Sequence, residues 1–124
     1  MARSRPIVLI VDDDDQVLDI AAIVLASLGY QVIPATNGEA ALEIIKYYRA
    51  IDLLMTDIVM PGTIDGWELA RRAKHMRPEL SVMYTTGFAD GALPDKSNPG
   101  YGPLLPKPWR ADQLVSLVNR ALRW

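Results

Sequence analysis

A single α/β domain, with a parallel sheet covered by helices on both faces, is what this 124-residue sequence predicts. Three observations lead there. Short strand-like runs alternate with helix-spaced segments five times, the rhythm of right-handed strand–helix–strand crossovers. The first run, Ile7-Val8-Leu9-Ile10-Val11, is apolar without a break, as a strand buried on both faces must be. Every chemically notable side chain also falls just past the end of such a run, where open parallel sheets gather their ligands.

Each element has a local reason. Asp12-Asp13-Asp14-Asp15 ends the first strand. Val17, Leu18, Ala21, Ala22, Val24, Leu25 and Leu28 then recur at helical spacing until Gly29 stops the helix. Gln31-Val32-Ile33 makes a short second strand. Thr36 and Glu39 fit a capping box opening a helix from Ala40 to Arg49, with Ala41, Leu42, Ile44, Ile45 and Tyr48 inward. The third strand is Leu53-Leu54-Met55-Thr56-Asp57, followed by the turn Met60-Pro61-Gly62. Asp65 and Glu68 cap a helix through about His75, with Trp67 as half-buried packing near its start and Pro78 just beyond its end. Ser81 to Thr85 is the fourth strand, and Leu104-Leu105 a short fifth closed by Pro106-Lys107-Pro108. A last helix runs from about Arg110 to Leu122 with Leu114, Leu117, Val118 and Ala121 inward. One segment breaks the rhythm. From Phe88 to Pro103 stand Gly91, Gly100, Gly102, Pro94, Pro99 and Pro103, too many breakers for a full helix. A loop is expected, with one helical turn near Ala89–Leu93.

Composition narrows the chemistry. Half the residues are apolar and 23% charged, ordinary for a globular domain of this length. A net charge of -2 exerts no pull toward nucleic acid or anionic membrane. Absence of cysteine excludes disulfides and thiolate sites, and a lone histidine, His75, excludes a multi-histidine metal site. No signal peptide is legible and no apolar run approaches ~20 residues, so a cytoplasmic location is expected.

Asp12 and Asp13 follow the first strand, Asp57 ends the third, Thr86 follows the fourth and Lys107 the fifth. In a doubly wound sheet these ends share one edge. Three carboxylates gathered there repel one another, and a hard divalent cation such as Mg²⁺ relieves that repulsion. One lysine and one hydroxyl remain to hold an anion, a set that suits phosphoryl chemistry. Thr85 competes with Thr86, because strand alternation points only one of them into the site; Gly87 favours Thr86. A lone Asp57 would more plainly be a turn-capping acid. The aspartate run would likewise be a solvated helix start, and that reading stays for Asp14 and Asp15.

Val11-Asp12-Asp13-Asp14, Thr56-Asp57-Ile58-Val59-Met60-Pro61-Gly62 with Asp65-Gly66, Thr86-Gly87 and Lys107-Pro108 together resemble the receiver domain of two-component response regulators. The resemblance runs from about Ile7 to Leu122, with all the motifs in order. It implies a flavodoxin-like five-stranded parallel sheet of order 2-1-3-4-5, in one receiver domain over 1–124 with its core at about 6–122. Asp57 is then the phosphoacceptor, attacking a partner's phosphohistidine to become an acyl phosphate. Mg²⁺, for which Mn²⁺ could substitute, is held directly by Asp13, through water by Asp12, and by Asp57 and the backbone carbonyl of Val59. Lys107 and Thr86 take the phosphoryl oxygens, Thr86 carrying the switch. Pro61 and Gly62 shape the loop, and the Lys107–Pro108 bond is expected to be cis. Trp109, where the family often has Phe, is a packing anchor, and His75 a helix C-terminal charge. The implied partners are a sensor histidine kinase or histidine phosphotransfer protein and a downstream protein target, with a homodimer left open.

The chain departs from the pattern in three places. The aromatic that many receivers carry ahead of the Lys-Pro pair falls on Leu104, so Tyr101 or Phe88 would have to substitute as the switch. The 88–103 segment replaces much of the fourth helix and suggests an order–disorder switch there. Val59 and Phe88, two residues past Asp57 and Thr86, cannot orient an attacking water, so a slowly hydrolysing aspartyl phosphate is expected. Other functions compete: a receiver excised from a hybrid kinase or larger regulator, a pseudo-receiver scaffold, or an aspartate-nucleophile phosphatase. Met1 and the basic lead-in favour a complete protein over an excised piece. The phosphatase reading suffers because its usual second acid falls on Val59.

Overall fold

β1 (Ile7–Val11), β2 (Gln31–Ala35), β3 (Ile51–Asp57), β4 (Ser81–Thr86) and β5 (Leu104–Pro106) lie parallel in one sheet, in the spatial order β2-β1-β3-β4-β5. They alternate with α1 (Asp15–Ala26), α2 (Gly38–Tyr47) and α3 (Gly66–Met76), and α4 (Ala111–Leu122) closes the chain. This is a computed structural model, and it describes residues 5–87 and 100–122.

Side-chain alternation along the central strands builds two apolar layers. Leu9, Val11, Leu54, Val82 and Tyr84 pack with Ala41 and Ile45 of α2 and Leu69, Ala70 and Ala73 of α3. Val8, Ile10, Leu53, Met55 and Met83 pack on the opposite face with Leu18, Ala21 and Leu25 of α1 and Leu114 and Val118 of α4. With β3 central and β1 beside it, their C-terminal ends are adjacent near the middle of one sheet edge. That edge is where Asp12 and Asp57 stand.

Some expectations need correcting. β2 extends two residues further, through Pro34 and Ala35; it is an edge strand, where a proline's missing N–H costs no ladder bond. The Thr36 capping box does not form. Asn37 caps α2 instead, its Oδ1 accepting from Ala40 N at 2.7 Å, and the helix begins at Gly38 and stops at Tyr47. Tyr48 and Leu28, both past their helix ends, are exposed rather than inward. Trp67 is fully buried, not half-buried. The Asp65 cap is as expected, with Oδ1 accepting from Glu68 N at 2.8 Å. The expected turn at Ala89–Leu93 and Phe88 itself lie outside the described residues. Residues 100–103 carry no helix or strand. No helix among the described residues is long and apolar enough to cross a membrane.

Candidate functional site

Asp12 follows directly from β1, its N–H donating to Ala35 O at 3.1 Å. It is 1% exposed, and its Oδ1 accepts from Asp14 N at 2.9 Å in a local turn. That turn hands the chain to α1, which Asp14 caps by accepting from Gln16 N. Asp14 and Asp15 are thus a helix start, as expected, and Asp13 lies between them and Asp12, exposed. Asp57 is the last residue of β3, paired in register with Thr85, and is buried. Two bonds fix the backbone beyond it: Ile58 N donates to Thr85 O at 3.1 Å, and Gly66 N to Ile58 O at 2.7 Å. A Cβ at Gly66 would stand 2.2 Å from Asp57 O, so only glycine lets α3 begin this close to the acid.

The structure brings the predicted carboxylates together. One oxygen each from Asp12, Asp13 and Asp57 lie within 4.8 Å of one another. Lys107 comes from the far side of the edge. Its N–H donates to Thr86 O at 2.7 Å, and the bond to Pro108 is cis. Its Nζ donates to Asp57 Oδ2 at 3.0 Å and lies 2.7 Å from Asp12 Oδ2. The Asp12 contact has ion-pair distance without hydrogen-bond angles, so the solvent-shielded Oδ2 has a charge partner but no donor aimed at it. Thr85 and Thr86 are both buried, and it is Thr86 whose carbonyl joins Lys107.

Electrostatics follow from this crowding. Burial pushes the Asp57 carboxyl above its ordinary range, Asp12 adds repulsion, and the Lys107 ammonium opposes both. Burial by itself would lower the Lys107 pKa, but the negative charge of Asp12 and Asp57, with the hydrogen bond to Asp57, outweighs that and leaves it raised. Three carboxylates against one ammonium leave two negative charges, the charge that one divalent cation cancels. All-oxygen donors and the orphaned Asp12 Oδ2 fit a hard cation such as Mg²⁺.

The remaining predicted residues separate. Val59, Pro61 and Gly62 lie in the exposed part of the loop after Asp57. Pro108 is exposed, and Trp109 packs partly buried against the α1–α4 layer, an anchor as expected. Leu104 is 41% exposed and pairs with Tyr84 in register. Tyr101 is not brought to the site: its ring lies 5.7 Å from Lys74 Nζ, in a cavity at the start of β3 and β4. His75 is exposed in the last turn of α3.

Two features had no sequence signal. Trp67 and Tyr84 stack edge to face beneath the site, ring centroids 4.6 Å apart, with Nε1 and Oη buried and unbonded. Glu39, expected to cap its own helix, bonds instead to Thr63, which lies 24 residues further along the chain.

A family model described as the response regulator receiver domain matches residues 8–119. The response regulator receiver protein CpdR of Brucella abortus is 39% identical over 116 residues, 93% of this chain and 95% of CpdR. Sensor kinase CckA of the same organism is 34% identical over 120 residues, 93% of this chain but 12% of the kinase. Among solved structures, a response regulator receiver protein from Sinorhizobium medicae superposes with a TM-score of 0.86 at 32% identity, over 96% of this chain and 95% of that one.

Proposed function

The chain belongs to the response regulator receiver domain family, and from that premise we propose how its own residues accept a phosphoryl group. Family membership makes it a phosphoryl-accepting module of two-component signalling, with kinases and downstream targets as the class of partner. Receiver domains bind Mg²⁺ through an acidic pocket, and the cluster of Asp12, Asp13 and Asp57 supports the same reading for this chain.

In our reading Asp57 is the acceptor. One of its oxygens attacks the phosphorus of a partner's phosphohistidine; a P–O bond forms as the P–N bond breaks, and the imidazole keeps the electron pair and takes up a proton. Asp13, Asp12 through water, Asp57 and the Val59 carbonyl would hold the metal. Mg²⁺, or Mn²⁺ in its stead, would supply positive charge against the phosphoryl oxygens when bound. Lys107 already holds Asp57 at 3.0 Å, and it turns to the arriving phosphoryl oxygens as the acid becomes an acyl phosphate. Thr86, beside Lys107 at the end of β4, donates its hydroxyl to the same group. Pro61 and Gly62 shape the loop that carries Val59. The chain acts by stoichiometric acceptance in the cytoplasm, rather than by turnover of a phosphate ester.

The observation that carries this reading is one ammonium within 3.0 Å of two carboxylates from different strand ends, with a third carboxylate beside them. Incubation with Mg²⁺ and acetyl phosphate, followed by intact mass measurement, tests it. A single phosphoryl adduct that disappears in Asp57→Asn is expected. An adduct that survives the substitution, or none in the wild type, overturns the assignment.

A further inference from the structure

The loop between β3 and α3 is pinned at its two ends and, in its middle, by a residue from another helix. Its start is fixed by Ile58 N on Thr85 O and its end by Gly66 N on Ile58 O. Met60 and Ile64 are buried in the α2–α3 layer, while Val59, Pro61, Gly62 and Thr63 are exposed. Burial of Met60 and Ile64 anchors two side chains but leaves the backbone between them without partners from the sheet. Apart from a 4.0 Å contact between Thr56 Oγ1 and Met60 Sδ, the polar tie described for residues 59–63 is Glu39, in the first turn of α2. Its Oε2 accepts from Thr63 Oγ1 at 2.7 Å and from Thr63 N at 3.2 Å. Gly62, at φ +100, brings its backbone against the same carboxylate, where a Cβ would meet Glu39 Oε1 at 3.1 Å.

We propose that Glu39 is a positioning residue for the metal-facing loop: its carboxylate clamps Thr63 and so fixes where the Val59 carbonyl is presented to the cation. The proposal rests on the assignment of Val59 as a metal ligand. The clamp is charge-assisted and two-pronged, and both donors belong to one residue, so it restrains the direction of the loop as well as its distance from α2. Asn37 caps α2 in place of the expected Thr36 box, which frees Glu39 to reach across. The Thr63 bonds hold the Glu39 carboxyl below the usual carboxylate range, so the clamp is closed at neutral pH.

Calorimetric titration of Mg²⁺ into the full chain, paired with the thermal midpoint in EDTA, tests the proposal. Glu39→Gln is expected to weaken Mg²⁺ binding about threefold and Thr63→Val about twofold, less than the roughly 10–100-fold typical of groups bonded directly to a ligand. Because the two act through one contact, the double variant should be no weaker than Glu39→Gln alone. Thr63→Ser, which keeps the hydroxyl, should bind like wild type. Glu43→Gln removes an equal charge one helical turn on and should leave the constant unchanged. In all of these the metal-free midpoint should stay put. Unchanged affinity in Glu39→Gln, additive effects in the double variant, equal weakening by Glu43→Gln, or losses that track the metal-free midpoint each overturn the clamp. Such outcomes leave the acceptor reading standing if the acetyl phosphate adduct still forms, whereas a wild type that takes up neither Mg²⁺ nor a phosphoryl group sinks both.

Discussion

The two edges of the sheet treat polar groups in opposite ways. At the N-terminal edge they are paired. Asp52 Oδ2 accepts from Ile7 N at 2.8 Å, tying β3 to the first residue of β1, and Lys74 Nζ donates to the carbonyls of Pro78 and Leu80 at 2.8 and 2.9 Å. Asp52, Lys74, Pro78 and Leu80 line a cavity of about 690 Å³ and keep these bonds at its wall. Toward the C-terminal edge the opposite holds. Among the described residues, the three buried side-chain polar atoms without a hydrogen bond are Asp12 Oδ2, Trp67 Nε1 and Tyr84 Oη, and Asp57 sits above its ordinary pKa beside another acid. One edge spends its polar groups on holding the fold. The other keeps its groups in conflict, and a domain departs from full pairing in this way where a ligand is to be received.

The largest effect expected from this contrast lies at the paired edge. Asp52→Ala removes the acceptor for Ile7 N and should destabilise the fold by about 1–2 kcal/mol in urea unfolding. Asp52→Asn retains an acceptor and should lose less than half as much. Labelling by acetyl phosphate should be unchanged in both. A variant of normal stability that labels poorly would break the comparison, since the N-terminal edge would then have a share in the chemistry.

Asp57→Asn probes the conflicted edge. Removing one of three clustered acids should stabilise the metal-free protein by about 1 kcal/mol at neutral pH, even though Lys107 loses a partner. The pH dependence has a definite sign. Because folding raises the Asp57 pKa above 3.8, its contribution is fully present below that value and is lost as pH climbs through the raised one. The stability advantage of Asp57→Asn should therefore be absent at the acid end and grow with pH until Asp57 has fully ionised. Saturating Mg²⁺ should shrink or reverse it, since the cation binds the wild-type fold better. A wild type more stable than Asp57→Asn at every pH without metal would mean that Lys107 quenches the site unaided.

Much of this was legible in the sequence. The apolar run Ile7–Val11 and the alternation of strand and helix signals were enough for the parallel sheet with helices on both faces. The convergence of Asp12, Asp13, Asp57 and Lys107 follows from topology, because each stands at the C-terminal end of a strand. What escaped depends on competition between near-equal local choices or on contacts across long stretches of chain. Thr36 and Asn37 are both good caps, and the structure uses Asn37, the better of the two. Tyr48 lies on the apolar stripe by spacing alone, but α2 ends one residue earlier and releases it. The Glu39–Thr63 bond spans 24 residues, and nothing local distinguishes its acid from a capping one.

The smallest effect is the sharpest test of whether unpaired groups toward the C-terminal edge carry a cost. Tyr84 sits in the fourth position of β4, its ring against Trp67 and its hydroxyl buried with no hydrogen bond. Burial pushes that hydroxyl's pKa up, and the nearby Tyr101 amide, out of bonding geometry, offsets little of it. Tyr84→Phe keeps the ring and its edge-to-face contact while deleting only the unsatisfied group. It should stabilise the protein by about 0.5–1 kcal/mol, because a buried polar atom without a partner is penalised and its removal orphans nothing else. Phosphoryl labelling should be unaffected, as the hydroxyl touches none of the acids. If Tyr84→Phe proves destabilising instead, the hydroxyl is satisfied in solution, and the contrast between the edges then narrows to Asp12 and Asp57.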